Sequence, residues 1–179
     1  MPLLPPSIPF FCELDTNGDL TGNVNANVDG SVTPVTFKYT ATQNVTIRRM
    51  IIGLEDNTRF TAEGYGGIPK LTNGVTLTVD RADGREYRTF LQPPVKSLAQ
   101  WAFYCYDITY TDWGSGNNFA TACWTFKESG TDIYLAAGDS IKVFINDDLT
   151  GLVAHNFVIE GVYGWVQPQP TTGPSNVFK

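Results

Sequence analysis

Residues 75–91, VTLTVDRADGREYRTFL, decide the fold class of this 179-residue chain. Apolar and polar residues alternate in VTLTVD, which is the period-two pattern of a β-strand with one face in a core. Asp83 and Gly84 follow, and both residue types tolerate the left-handed backbone that a tight hairpin turn requires. We therefore predict an antiparallel hairpin with strands at residues 75–80 and 86–91.

The same short period recurs along the chain, and 17 glycines and 11 prolines supply turn signals between the apolar runs. A helical turn or two is favoured only at residues 95–102, where Pro93-Pro94 mark the start. Strands at this spacing, with irregular connections, predict an all-β fold, a jelly-roll-like antiparallel β-sandwich. The nine predicted strands are residues 35–40, 45–54, 75–80, 86–91, 103–110, 119–126, 133–135, 141–145 and 153–162.

Two of these strands carry further expectations. VTIRRMIIGL, residues 45–54, is too apolar at its end to face water, so we expect a central strand covered on both faces. In the last strand, His155 shares a face with Phe157 and Ile159. This row predicts a hydrogen-bonded core histidine, although a functional role for His155 stays open.

Proline-rich segments flank the sandwich. We divide the chain into an N-terminal arm at residues 1–9, a single β-sandwich domain at 10–165 and a C-terminal tail at 166–179. The end segments cannot join central strands and favour an extended polyproline conformation. They are expected to be disordered or to lie along a neighbouring molecule.

Composition excludes several classes of protein. A net charge of −6, a pI near 4.6 and scattered cationic residues argue against nucleic-acid binding. No run reaches the roughly 18 apolar residues of a membrane span, so no membrane partner is expected. The N-terminus has no basic segment before its apolar residues, which predicts synthesis in a cytoplasm without export.

Cys12, Cys105 and Cys123 have no metal-site spacing, and we expect buried thiols in a reducing compartment.

Catalytic signatures are missing from the sequence, which contains one histidine and no nucleophile elbow, zinc helix or phosphate loop. Asp147-Asp148 could be a glycosidase acid pair, but their position between a strand and LTG favours a pair that bonds nearby backbone N–H groups in a turn. Ion binding is the alternative for this pair. We predict no catalytic residue, no metal ligand and no cofactor.

The polar segment ELDTNGDLTGN, residues 13–23, has the alternating oxygens of a calcium loop that would begin at Asp15. Such a loop needs glycine at its sixth position and glutamate at its twelfth, which are Leu20 and Ala26 here. We therefore interpret it as a turn-rich segment between the N-terminal arm and the first strand.

Exposed aromatic rings raise the possibility of sugar binding. Trp124 lies within a strand pattern and is expected in the core, whereas Trp113 lies in TDWGSGNN, a loop that could hold its ring in solvent. Trp113, with Tyr110 and Tyr65, is the candidate ligand contact. A ring packed over the end of the sandwich is the alternative.

Several segments resemble a known family in their order. RMIIGLEDN (residues 49–57), LTNGV (71–75) and NDDLTGLVAHNF (146–157) are similar to the most recognisable blocks of a small family of structural proteins from tailed-bacteriophage virions. The similarity covers most of residues 9–164. The resemblance implies a β-sandwich and transfers no catalytic residue.

The resemblance implies a decoration or cement protein on the virion head surface, made in the host cytoplasm, which binds the major capsid protein and stabilises the shell. A dimer or trimer on a symmetry axis is expected. Two other roles stay open: a glycan- or receptor-binding module of a tail or head fibre, and an adaptor at the neck or portal.

Overall fold

The computed structural model describes residues 8–16, 28–88, 91, 93–105, 107–112, 118–126 and 132–164. Strands dominate this part of the chain. The strands are β1 (Pro9–Glu13), β2 (Asp15–Thr16), β3 (Val35–Thr40), β4 (Val45–Asp56), β5 (Val75–Asp80), β6 (Glu86–Arg88), β7 (Asp107–Asp112), β8 (Asn118–Thr125), β9 (Ile133–Leu135), β10 (Ser140–Ile145) and β11 (Ala154–Tyr163), and the helix is α1 (Leu98–Trp101). That helix has four residues, and no helix in the described part is long and apolar enough to cross a membrane.

The strands form two antiparallel sheets. The large sheet has the order β1-β11-β4-β8-β7, with β9 paired to the start of β4, and the small sheet has the order β2-β3-β10-β5-β6. Along the described strands the chain changes sheet six times, at β1/β2, β3/β4, β4/β5, β6/β7, β9/β10 and β10/β11. The predicted all-β sandwich with jelly-roll-like winding is therefore confirmed.

Aromatic packing joins the two sheets. Phe37 of the small sheet meets Phe157 of the large sheet with ring centroids 4.9 Å apart, and both rings are fully buried. On the opposite flank, the ring centroids of Trp101 in α1 and Trp124 in β8 lie 6.4 Å apart. Trp124 is buried, which confirms its predicted position in the core. The segment around α1 thus covers the inner side of β8.

The predicted strands at 35–40, 75–80 and 133–135 match β3, β5 and β9, and most others differ by one or two residues. The predicted strand at 86–91 is observed as β6 only to Arg88, and residues 89 and 90 lie outside the described residues. The other exception is 103–110, because β7 begins only at Asp107. Helical bonds from Tyr104 N–H and Cys105 N–H to the Trp101 carbonyl extend the turn of α1 into this segment. Buried Trp101 anchors that turn and overrides the strand pattern.

Strand β4 is central, since it pairs with β11 on one side and with β8 and β9 on the other. The prediction that both of its faces are covered is wrong for the described part of the chain. Met50, Ile52 and Leu54 are buried, but Ile51 and Gly53 point to the other side and are only half-buried. The outward side of β4 carries Arg49, Ile51, Gly53 and Glu55, and no second layer covers it in the described part of the chain.

The predicted division into arm, domain and tail stays a prediction, and β1 is the first strand of the described chain. β1 begins at Pro9 and pairs with β11 at the edge of the large sheet, while residues 1–7 and 165–179 lie outside the described residues. Asp15 and Thr16 of the calcium-like segment form β2 against β3, so its start is strand and not turn. Residues 17–27 lie outside the described residues.

Gly161 marks an irregularity in the sheet. The register between β11 and β4 shifts between Glu160 and Gly161, as at a β-bulge. A Cβ added at Gly161 would lie 1.9 Å from the backbone oxygen of Thr46. Only glycine allows this close approach between the two backbones.

We predict that Gly161→Ala lowers the free energy of unfolding by about 3 kcal/mol, because backbone must move to admit the methyl group. Gly53→Ala is the matched control, since the first atom that its Cβ would meet is the amide oxygen of Asn156, at the end of a side chain that can rotate. The free energy of unfolding of Gly53→Ala should fall by about 1 kcal/mol or less. Urea unfolding followed by tryptophan fluorescence measures both variants. Equal losses of stability would contradict the close backbone approach at Gly161.

Candidate functional site

A buried histidine–tyrosine pair lies between the sheets, near the ends of β4 and β11. His155 Nδ1 lies 3.0 Å from the Gly53 carbonyl oxygen, and His155 Nε2 lies 2.5 Å from the Tyr65 hydroxyl. The carbonyl can only accept, so Nδ1 carries the proton and Tyr65 donates to Nε2. Both side chains are fully buried.

The surroundings keep this pair neutral. Burial lowers the pKa of His155 to about 3, although the bond to the Gly53 carbonyl opposes that change. Burial also raises the pKa of Tyr65 above its usual range. Phe157 packs 4.4 Å from the imidazole ring. His155 is therefore the predicted hydrogen-bonded core histidine, and its imidazole stays neutral near neutral pH.

The three candidate ligand contacts do not form a surface site in the described residues. Tyr65 was expected at the surface and is buried against His155, so this expectation is wrong: its hydroxyl needs the histidine as a partner inside the core. Tyr110 lies in β7 opposite Ala120, but its side chain is not among those that the structure describes. Trp113 lies outside the described residues.

Asp147 organises the loop before β5. Its Oδ1 accepts from the N–H groups of Thr72 (2.7 Å) and Asn73 (3.0 Å), and its Oδ2 accepts from Asn73 (3.1 Å) and Gly74 (2.7 Å). The side chain is only 5% exposed. Asp148, by contrast, is exposed and accepts from the nearby Thr150 N–H at 2.9 Å. The turn-capping prediction is thus correct for Asp148, while Asp147 bonds a loop distant in the sequence.

Two further aspartates follow the same pattern. Asp56 accepts from the N–H groups of Thr58 at 2.8 Å and Gly67 at 3.0 Å. Asp139 accepts from the N–H of Ala82 at 2.9 Å and from the guanidinium of Arg81 at 2.7 Å. Partial burial would raise the pKa of Asp139, but these bonds hold it below its usual value. These carboxylates are occupied in holding loops.

Metal and thiol chemistry find little support in the same residues. No group of three histidine, cysteine, aspartate or glutamate side chains that could hold a metal ion occurs in the described part. Cys12, Cys105 and Cys123 form no disulfide. Burial raises the pKa of Cys105 to about 12, which keeps that thiol protonated and unreactive.

The outward side of the large sheet, which we call the open face, is the larger candidate surface. Its central row consists of Glu13, Val158, Ile51 and Cys123, which are in register across β1, β11, β4 and β8. These side chains are half-buried, with no second layer over them in the described chain. The next row contains Arg49, which donates a 2.6 Å bond from Nε to Glu160.

A shallow depression interrupts the open face at Gly53. Gly53 lies in register between Asn156 of β11 and Thr121 of β8, and all three line a depression of about 170 Å³. Phe119 forms part of its wall and is 36% exposed. Hydrophobic residues at 51 and 158 were the sequence signal for this surface, but an apolar strand pattern cannot distinguish a covered face from an uncovered one.

We predict that Asp147→Asn lowers the free energy of unfolding by about 3 kcal/mol, because the amide nitrogen would face backbone donors and leave a buried N–H group unpaired. Asp148→Asn is the control and should change stability little, since that carboxylate is in solvent. Urea unfolding measures both, and hydrogen exchange at residues 72–74 should speed up only in the Asp147 variant. Unchanged hydrogen exchange at residues 72–74 in the Asp147 variant would contradict the hydrogen bonds from this loop to Asp147.

The depressed pKa of His155 predicts a pH dependence of stability. An unfolded histidine takes up a proton near pH 6.5, whereas the folded one does so only near pH 3. Between these values the unfolded state binds more protons, so stability falls as the pH is lowered, by about 1.4 kcal/mol per unit once the unfolded histidine is protonated. His155→Gln should lose this part of the acid slope, and Tyr65→Phe should keep it. Parallel acid slopes in wild type and His155→Gln would refute the assignment.

The comparisons with known proteins leave the family open. No protein-family model, no curated protein and no solved structure matches this chain. The resemblance of residues 49–57, 71–75 and 146–157 to virion proteins of tailed phages therefore stays a prediction. The function has to be argued from the open face and from the chemistry of the described residues.

Proposed function

We propose that this protein is a structural component of a tailed-bacteriophage virion, a decoration or cement protein that binds the outside of the head shell through the open face. The observation that carries the proposal is the adjacent pair Val158 and Ile51 on the central strands of the large sheet, over which the described part of the chain places no second layer. The segments that resemble virion proteins support the same role. The partner would be the major capsid protein.

The dimensions of the open face fit a protein–protein interface. Five neighbouring strands span about 19 Å, and the paired length of β4 and β11 adds about 33 Å in the other direction. The resulting footprint of roughly 600 Å² approaches the ~800 Å² that each partner buries in an interface of standard size. A broad sheet surface also suits a shell, because a shell presents a broad surface to the proteins that bind it.

The chemistry of the open face suggests what the partner presents. Apolar side chains at Ile51 and Val158 require an apolar counterpart, because their burial against the partner supplies the main free energy of binding. Glu13 lies at the β1 end of the same row and Glu55 lies four residues further along β4, while Arg49 is already paired with Glu160. We expect an apolar patch bordered by lysine or arginine on the shell.

The alternative roles have less support. A glycan-binding role loses Tyr65, which is buried, and retains Trp113 and Tyr110, whose side chains lie outside the description. No described feature favours an adaptor at the neck or portal. The buried carboxylates and His155 form hydrogen bonds within the fold, and this supports a binding function over a catalytic one.

A binding experiment on heads assembled without this chain tests the proposal. Wild-type protein should saturate the heads at a copy number proportional to the capsid subunits and raise the temperature at which they release DNA. Ile51→Lys should weaken binding about tenfold or more, because it places an unpaired charge in a dry interface.

Phe144→Lys is the matched control, since Phe144 lies on the outer side of the small sheet and is 37% exposed. It should bind as the wild type does. The proposal fails if the wild type does not bind heads, if it binds at a single vertex, or if Ile51→Lys binds with unchanged affinity.

A further inference from the structure

A cleft of about 190 Å³ lies beside α1, on the flank of the sandwich away from β1. Proline and aromatic side chains make up most of its walls. The lining residues are Pro93, Pro94, Val95, Gln100, Phe103 and Tyr104. We call it the proline–aromatic cleft. Phe103 is 85% exposed, which is unusual for so large an apolar side chain in a soluble domain.

The walls of the cleft are fixed by the fold. Phe103 N–H donates to the Gln100 carbonyl at 3.1 Å, which continues the turn of α1 and holds the Phe103 ring outward. The Tyr104 ring packs 5.5 Å from Trp124, and its hydroxyl reaches the Pro93 carbonyl at 3.4 Å. Exposure of Phe103 is therefore imposed by anchored neighbours, and the cleft exists before any ligand arrives.

The chemistry of these walls matches one class of ligand. Polyproline II segments bind grooves lined with aromatic rings, because their flat proline faces pack between the rings and their ordering entropy is low. Such segments expose carbonyl groups that need donors. Gln100 Oε1 already accepts from the Lys96 N–H at 2.6 Å, so its amide nitrogen is the group that can donate to a bound carbonyl.

This chain carries such a segment at its own N-terminus. Residues 1–7 read MPLLPPS, in which Pro2 and Pro5 have the PxxP spacing and Pro5-Pro6 are adjacent. The C-terminal residues 165–179 are also rich in proline but contain no PxxP. We propose that the proline–aromatic cleft binds residues 1–7 of a second copy of this chain.

Geometry requires the second copy. β1, from which the segment emerges, is three strands away from β8, against which the cleft wall packs, and this separation alone is about 14 Å. Val95 pairs with Val75, at the end of the sandwich opposite the paired Pro9 and Val162. Seven extended residues reach about 23 Å. They cannot pass around the sandwich to their own cleft.

An arm bound in a neighbour's cleft sets the form of the assembly. Two copies that exchange arms make a closed dimer, and three copies that pass arms in one direction make a ring. The contact does not depend on the virion role, since it joins copies of this chain through residues outside the open face.

Sedimentation velocity over about 1 to 100 μM tests the proposal with the full chain. The wild type should associate reversibly. Phe103→Ser, and separately Pro5→Ala with Pro6→Ala, should each weaken association about tenfold or more, and combining them should add little because both remove one contact. Phe144→Ser is the control, because Phe144 does not line the cleft, and this variant should associate as the wild type does. Near-UV circular dichroism verifies that each variant is folded.

Two additional measurements identify the contact. An equimolar mixture of Phe103→Ser with the Pro5/Pro6 variant should regain pairing, since one copy keeps its arm and the other its cleft. A peptide of residues 1–8 should dissociate wild-type oligomers, and the same peptide with alanine at positions 5 and 6 should not. A monomeric wild type, unchanged association of both variants, or an inactive wild-type peptide would each overturn the proposal.

Discussion

One buried carboxylate sets the arrangement on which the rest of the fold depends. Asp147 is 5% exposed, and a carboxylate in that position is stable only when donors replace its lost water. The N–H groups of residues 72–74 supply them, so the loop before β5 is fixed to the segment after β10. At the same end, His155 bonds the Gly53 carbonyl and ties β11 to β4. The blocks LTNGV, NDDLTGLVAHNF and RMIIGLEDN, far apart in the sequence, thus meet through specific bonds.

These bonds explain why polar residues that suggested chemistry perform none that the geometry supports. Asp56, Asp139 and Asp147 direct their oxygens at backbone N–H groups, and the imidazole of His155 is neutral between a carbonyl and a hydroxyl. A general acid or base needs a group that can change protonation near the working pH. Function is then expected on surfaces, and the open face and the proline–aromatic cleft are two described surfaces where apolar side chains lie on hydrogen-bonded elements.

The sequence predicted what local pattern controls and failed where distant contacts decide. Alternation in VTLTVD was enough for β5, and the row containing His155 predicted its burial. Phe103 was misassigned to a strand, because only the anchoring of Trp101 against Trp124 keeps that segment helical. Tyr65 was expected at the surface, because the residues around it in the sequence do not indicate its hydrogen bond to His155, ninety positions later. β1 was missed because a proline-rich start disguises an edge strand, where proline is tolerated.

The two proposed contacts reinforce each other through their positions. β1 forms one border of the open face and also the point from which residues 1–7 emerge, and Phe11 projects from it with 68% of its surface exposed. A partner beneath the open face would hold neighbouring copies side by side, so that each arm meets a cleft at high effective concentration.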